Sequence, residues 1–234
     1  MITPATKVWI KNHVPGLRGA LHLRSRLLRS RAIARYLAGS TRPSIHIGCG
    51  LNQLEGWLNS DLSPELSSIL PLDVTRRFPF PNASFEYIFS EHMIEHVSFV
   101  DARRMLAECR RILRPGGIIR IATPDLAKVV GLYVTPAPAD VISYLAWSRP
   151  RHAIPGPGAD RCHVINSLFY GHGHRFIYDE ETLAAVLREA GFHSVERRQP
   201  GESSRPAMCK LEHHGRVIGD ANNRMETLVL EAAV

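Results

Sequence analysis

Short apolar and β-prone runs recur along the chain near residues 44–47, 57–61, 69–73, 85–90, 118–123 and 193–199, and from Thr227 to Ala232. Each has the length of a buried or half-buried strand. Between the fourth and fifth runs, Ala102, Met105, Leu106, Cys109, Ile112 and Leu113 share one face at helical spacing. This predicts a helix near 101–113, stopped by Pro115-Gly116-Gly117. Asp179 is placed to cap a second helix, 180–190, closed by Gly191. Leu17, Ala20, Leu21, Leu27, Leu28, Ile33, Tyr36 and Leu37, with arginines between them, predict a helix over 16–38, and Ser40 to Pro43 a linker. Residues 126–175 contain Pro136, Pro138, Pro150, Pro155 and Pro157 and are expected to be the least regular part. Residues 200–223 are expected as a loop.

One stretch joins this pattern to chemistry. The run Ile45 to Ile47 ends in Gly48-Cys49-Gly50, and the next run, Trp57 to Ser60, ends at Asp61. A strand, a glycine turn and a second strand ending in a carboxylate make the adenosine-binding corner of a Rossmann-like sheet. Glycine removes Cβ where a ligand lies against backbone, and the carboxylate can accept from both ribose hydroxyls. The turn is not G-x-G-x-x-G, since Gly56 comes too late for the third glycine. That argues against a dinucleotide, whose pyrophosphate needs a helix N-terminus beside the turn. A nucleoside with a zwitterionic tail fits better, and S-adenosylmethionine (SAM) is the commonest. The interval between the first two strands is too short for a full crossover helix, so that helix is expected to be abbreviated or distorted.

Further stretches carry a family resemblance. Pro71-Leu72-Asp73-Val74, Phe78 through Ile88, Ser90-Glu91-His92-Met93-Ile94-Glu95-His96 and Leu113-Arg114-Pro115-Gly116-Gly117 stand in the order and spacing of one family. With the glycine corner they resemble the class I SAM-dependent methyltransferases over residues 44–125, and again at the C-terminal helix and strand. The resemblance implies a seven-stranded, mostly parallel sheet with helices on both faces, an antiparallel C-terminal hairpin, and a lid inserted at about 126–178. The expected domains are a basic helical segment, 1–43, and the methyltransferase domain, 44–234. The implied cofactor set is Gly48, Cys49, Gly50, Asp61, Leu62, Asp73, Val74, Ser90, Glu91 and His92. Within it, Gly48 and Gly50 let the methionine portion pass, Asp61 holds the ribose, and Asp73 with the Val74 amide meets the adenine. Ser90, Glu91 and His92 line the reacting end. Asp61 before Ser63-Pro64, and Asp73, could instead be formers of their own turns.

Composition sets limits. At 234 residues and 44% hydrophobic, the chain suits one α/β domain, and no apolar run is long enough to span a membrane. No signal peptide is visible. Cys49, Cys109, Cys162 and Cys209 lie far apart and read as free thiols, which implies a reducing, cytoplasmic setting. The net charge of +7 is local: residues 1–43 hold nine Lys or Arg and no acid, and the rest nets −2. This disfavours nucleic acid as a partner of the body. For the basic segment the readings are a helix packed on the sheet, a peripheral contact with an anionic membrane at its inner face, a transit peptide, or contacts with a phosphorylated substrate.

His92-Met93-Ile94-Glu95-His96 also matches H-x-x-E-H, the inverted zinc-protease pattern. An apolar strand runs directly into His92, which argues against the helix that motif needs, and no ligand spacing demands a metal. For the acceptor, residues 163–178 concentrate histidines, aromatics and Arg175. Imidazole is the usual proton acceptor near neutral pH, which points to His174, then His172, as general base. Asp125 would orient a base or an ion. The pattern is similar to a bacterial methyltransferase-11-like group associated with glycans and natural products. That implies methyl transfer to a hydroxyl, or second to an amine, of a small, sugar-containing or natural-product acceptor. An RNA or protein methyltransferase, and a non-catalytic SAM-binding scaffold, are the alternatives. Ser90-Glu91-His92-Met93 in place of an Asn-Pro-Pro-Tyr-like motif disfavours base and glutamine methylation.

Overall fold

The computed structural model describes residues 29–151 and 160–234. A helix, α1, covers 29–39. Then come β1 (Ser44–Ile47), β2 (Leu58–Asp61), β3 (Leu70–Pro71), β4 (Phe85–Glu91), a 3-10 turn (Ile94–His96), α2 (Phe99–Ile112) and β5 (Leu113–Pro124). The region expected as the lid holds α3 (Leu126–Gly131), α4 (Ala139–Arg151), α5 (Asp160–Asn166) and a π turn (Ser167–Gly171). The chain closes with α6 (Glu180–Glu189), β6 (His193–Arg198), a 3-10 turn (Pro206–Met208), α7 (His214–Ile218), α8 (Asp220–Glu226) and β7 (Thr227–Ala233).

The seven strands form one sheet in the order β3-β2-β1-β4-β5-β7-β6. The first five are parallel, and β7 runs antiparallel between β5 and β6. This is the α/β Rossmann-like fold expected from the sequence. Ile45, Ile47, Ile88, Ile119 and Ile121 bury the centre of the sheet, against Met105, Leu106, Cys109 and Ile112 of α2 and Leu183 and Leu187 of α6. Each such aliphatic side chain contributes about 1.5–3 kcal/mol by leaving water.

Local chemistry sets the element ends. Ser98 caps α2 by accepting the Asp101 N–H at 3.1 Å, and Asp179 caps α6 by accepting that of Thr182 at 2.8 Å. Helix α2 stops at Ile112, before the Pro115-Gly116-Gly117 expected to end it, because Leu113 already pairs with Phe85. The register jumps before Tyr87 pairs with Ile118, so the proline and glycines form an irregularity inside β5. There a Cβ on Gly117 would lie 2.9 Å from the Arg114 carbonyl oxygen. Residues 48–57 contain only turns, so the first crossover helix is missing altogether.

Three expectations are corrected or limited. The segment 126–175 is largely helical where described, because Pro138 precedes α4 and Pro150 lies in its last turn, where proline breaks little. The stretch 200–223 also folds into short helices. Residues 1–28 and 152–159 lie outside the described residues, and with them Leu17 to Leu28 of the expected first helix, Pro155 and Pro157. In α1, Ile33 is buried in the core while Arg31 and Arg35 are exposed. The Tyr36 hydroxyl donates to the Ser44 carbonyl at 2.8 Å and accepts the Ser44 N–H at 3.0 Å, clipping α1 to the start of β1. Among the described residues no helix is long and apolar enough to cross a membrane.

Within β5, residues 118–122 read as uniformly apolar except for Arg120. That side chain is fully buried on the sheet face opposite Ile119 and Ile121. Its guanidinium donates to Glu212 at 2.6 Å, to Glu231 at 2.7 Å and to the Glu202 carbonyl at 2.9 Å.

Candidate functional site

Strand order reverses between β1 and β4, and the carboxyl ends of those strands bound a crevice where open α/β sheets bind ligands. Gly48 leaves β1 with φ +73°, and its N–H donates to the Ser60 carbonyl at 2.9 Å. A Cβ there would fall 2.3 Å from Met93 Cγ, so the chain's own packing already demands glycine. Gly50, at φ +52°, has open space where a Cβ would stand and donates its N–H to Asp61 Oδ2 at 3.0 Å. Asp61 Oδ1 accepts the Ser63 N–H at 2.9 Å. Each oxygen keeps a lone pair for a further donor. Between the glycines, burial and then the nearby Asp61 charge push the Cys49 thiol up to about 12, so it stays protonated. Leu62 is exposed.

At the end of β3, Asp73 accepts the Thr75 hydroxyl at 2.6 Å and N–H at 3.0 Å, and pairs with Arg76 at 3.0 Å. The Thr75 hydrogen bond, with help from Arg76, holds this carboxyl below the usual range. Val74 packs partly buried against the core.

The end of β4 is polar and largely dry. Ser90 is buried with its hydroxyl unpartnered. Glu91 accepts the N–H groups of His213 and His214, both at 2.9 Å. His92 turns the chain at φ +46°, and its Nδ1 lies 3.1 Å from Glu95 Oε1. Glu95 is fully buried, and its other oxygen accepts the Thr123 hydroxyl at 3.0 Å. The His92 ring lies 4.2 Å from that of His214. His214 Nε2 stands 2.6 Å from Glu226, whose second oxygen accepts the Tyr144 hydroxyl of the lid at 2.5 Å. Two imidazole–carboxylate pairs thus meet ring to ring at the reversal of strand order. Burial lowers the His92 pKa, but the Glu95 hydrogen bond and the charges of Glu95, Glu91 and Glu226 outweigh it and raise it above 6.5.

A methyltransferase domain model matches residues 58–121, from β2 into β5. A SAM-dependent methyltransferase of Archaeoglobus fulgidus superposes with a TM-score of 0.51, at 17% identity over 97% of this chain and 98% of its own. The chain has the fold of the class I SAM-dependent methyltransferases, and its residues 58–121 match the methyltransferase domain family. Two further structures are similar to it. One, from Mesorhizobium loti, has 18% identity, covers 90% and 98% of the two chains and has a TM-score of 0.47. The other is phosphoethanolamine N-methyltransferase 2 of Haemonchus contortus, in complex with phosphomonomethylethanolamine and S-adenosylhomocysteine. It has 15% identity, coverage of 88% and 52%, and a TM-score of 0.46. No curated protein matches the sequence.

The residues present fit SAM. Gly50 presents its backbone beside the Asp61 carboxylate. At the end of β4, the buried Ser90 hydroxyl and His92 Nε2 have no hydrogen-bond partner among the described residues, as expected of polar groups kept beside a polar ligand. Glu91 accepts one backbone N–H of 213–214 on each oxygen, which braces the site's wall and leaves each oxygen a second lone pair.

The acceptor-side residues separate. Asp125 is buried as the N-cap of α3, accepting from the Ala127 N–H at 3.1 Å and from Arg197 at 2.7 Å. It touches none of the site histidines through these contacts. His174 Nδ1 lies 2.5 Å from the Leu168 carbonyl oxygen, and its ring neighbours those of His96 at 4.9 Å and His172 at 5.6 Å. Burial lowers the His174 pKa. The zinc-protease pattern fails locally: residues 92–96 form no α-helix, and Glu95 is bonded to His92. A wide cleft of about 600 Å³, lined in part by Arg35, Tyr36, Arg42, Trp57 and Tyr87, opens beside the start of β1 and contains none of the strand-end residues.

Sequence reasoning passed over Glu95 as an orienting group, and over His214, Glu226 and Tyr144. The H-x-x-E spacing was the one visible signal. Asp61→Ala is expected to weaken S-adenosylhomocysteine binding by about 1–3 kcal/mol, the cost of leaving polar groups unpaired. Calorimetry checks this, and an unchanged affinity would reduce Asp61 to a turn former.

Proposed function

We propose that this protein is a SAM-dependent methyltransferase that transfers the methyl group of SAM to a hydroxyl oxygen of a small acceptor, sugar-containing or a natural-product intermediate. An amine acceptor ranks second. The carrying observation is the His92–Glu95 pair at the end of β4, an imidazole oriented by a buried carboxylate, with its Nε2 buried and without a hydrogen-bond partner among the described residues. SAM supplies a methyl group already activated on a sulfonium, so the protein has to align the acceptor and take a proton. His92 takes the proton from the acceptor hydroxyl, Glu95 fixes the ring and stabilises its charged form, and Gly48, Gly50 and Asp61 hold the donor. This moves the base from His174 to His92.

The lid supports a sugar-like acceptor. Tyr133 and Tyr170 are exposed on it, and aromatic faces suit the C–H faces of a sugar ring. Arg175, also exposed, suits an anionic substituent. The free state of all four cysteines supports a reducing, cytoplasmic setting. A peripheral membrane contact through residues 1–43 belongs to the same proposal.

The test is mass spectrometry of ligand that copurifies with the protein. Calorimetry with S-adenosylhomocysteine follows, then a panel of hydroxylated acceptors with isotope-labelled SAM. The expected result is adenosyl-ligand binding and label on an acceptor oxygen. Binding of a diphosphate nucleotide instead, or label found on RNA, would overturn the reading.

A further inference from the structure

A second set of side chains lies beside the base and shares only Glu95 with it. Backbone N–H groups of Arg175 and Phe176 donate to the Glu95 carbonyl at 2.7 and 3.2 Å. These bonds stitch the lid's end to the turn Ile94–His96. They set the His174 ring against His96 at 72° between planes, and bring one ligand atom each from Glu95, His96 and His174 within 4.8 Å of one another.

Two imidazoles and a carboxylate are the donor set of zinc-class transition ions. With bonds of about 2.0–2.2 Å, ligands on opposite sides of an ion stand about 4.2 Å apart and adjacent ones about 3 Å. The spacing of up to 4.8 Å is slightly wider than this, so an ion would draw the three side chains together. An outer shell is already in place. The Leu168 carbonyl at 2.5 Å keeps the proton on His174 Nδ1, which leaves the Nε2 lone pair for an ion. Thr123 and His92 hold the two oxygens of Glu95.

We propose that Glu95, His96 and His174 bind one divalent transition-metal ion, with open positions on its solvent side for an oxygen ligand. Binding of the ion stands without the methyl-transfer reading; only the role of those open positions, gripping an acceptor oxygen, rests on it.

The test is titration of the full chain with Zn²⁺ by calorimetry and with Co²⁺ by visible absorption, at about pH 7.5, where histidine ligands are neutral. One ion should bind per chain. His96→Ala and His174→Ala should each weaken it by about tenfold or more, and His193→Ala, on the exposed edge strand, should leave it unchanged. Because His96 is exposed, its variant folds, and thermal melts verify this. No bound ion, or equal affinity in wild type and in either His96→Ala or His174→Ala, overturns the site. S-adenosylhomocysteine binding, measured on the same samples, reports on the cofactor reading separately.

Discussion

Arg120→Met is expected to destabilise the fold by about 3–5 kcal/mol, the range for breaking a buried ion pair by removing one partner. Arg120 sits between Glu212 and Glu231, both almost wholly buried. Without the guanidinium two carboxylates share a dry space, and the Glu202 carbonyl loses its donor. At about 2–4 °C per kcal/mol for a chain of this size, the melting temperature should fall by roughly 6–20 °C. Arg120→Met combined with Glu212→Gln and Glu231→Leu should recover much of the loss, since an apolar set can replace a buried triad. A single variant that melts within about 2 °C of wild type, well under one such increment, would show that the triad is solvated.

His92→Ala is expected to lower turnover by about 10²–10⁴-fold, the usual contribution of a positioned base, while S-adenosylhomocysteine affinity stays within a few-fold. The pH dependence has a definite sign. Glu95 raises the His92 pKa above 6.5, so the base form, and with it kcat/KM, should rise as pH climbs through that raised value. In Glu95→Gln the raising charge is gone, so the rising limb should move to lower pH while the maximum rate drops. A limb that stays in place would assign the proton to another group. NMR titration of the His92 ring gives the same comparison before any acceptor is known.

The parallel half of the sheet was legible because its strands are locally written: Ile45 and Ile47, then Phe85 to Phe89, announce burial by themselves. The glycine corner was legible for the same reason, since Gly50 and Asp61 meet through one hydrogen bond across a short turn. The lid was not, because its prolines read as breakers when Pro138 and Pro150 merely mark the ends of α4. Arg120 hid in an apolar run, as its partners lie 92 and 111 residues away. The same distance concealed Glu226, which Tyr144 reaches across 82 residues. Glu91 was the reverse case. Its place at a strand end suggested ligand contact, and nothing local announced that its oxygens also accept backbone N–H groups from the start of a short helix far along the chain.

The Tyr144–Glu226–His214 chain gives the lid a latch. Loss of the phenol from this desolvated acid would leave Glu226 to His214 alone, and that ring lies against His92. Because the Glu226 charge is among those that raise the His92 pKa, the position of α4 is coupled to the protonation of that imidazole.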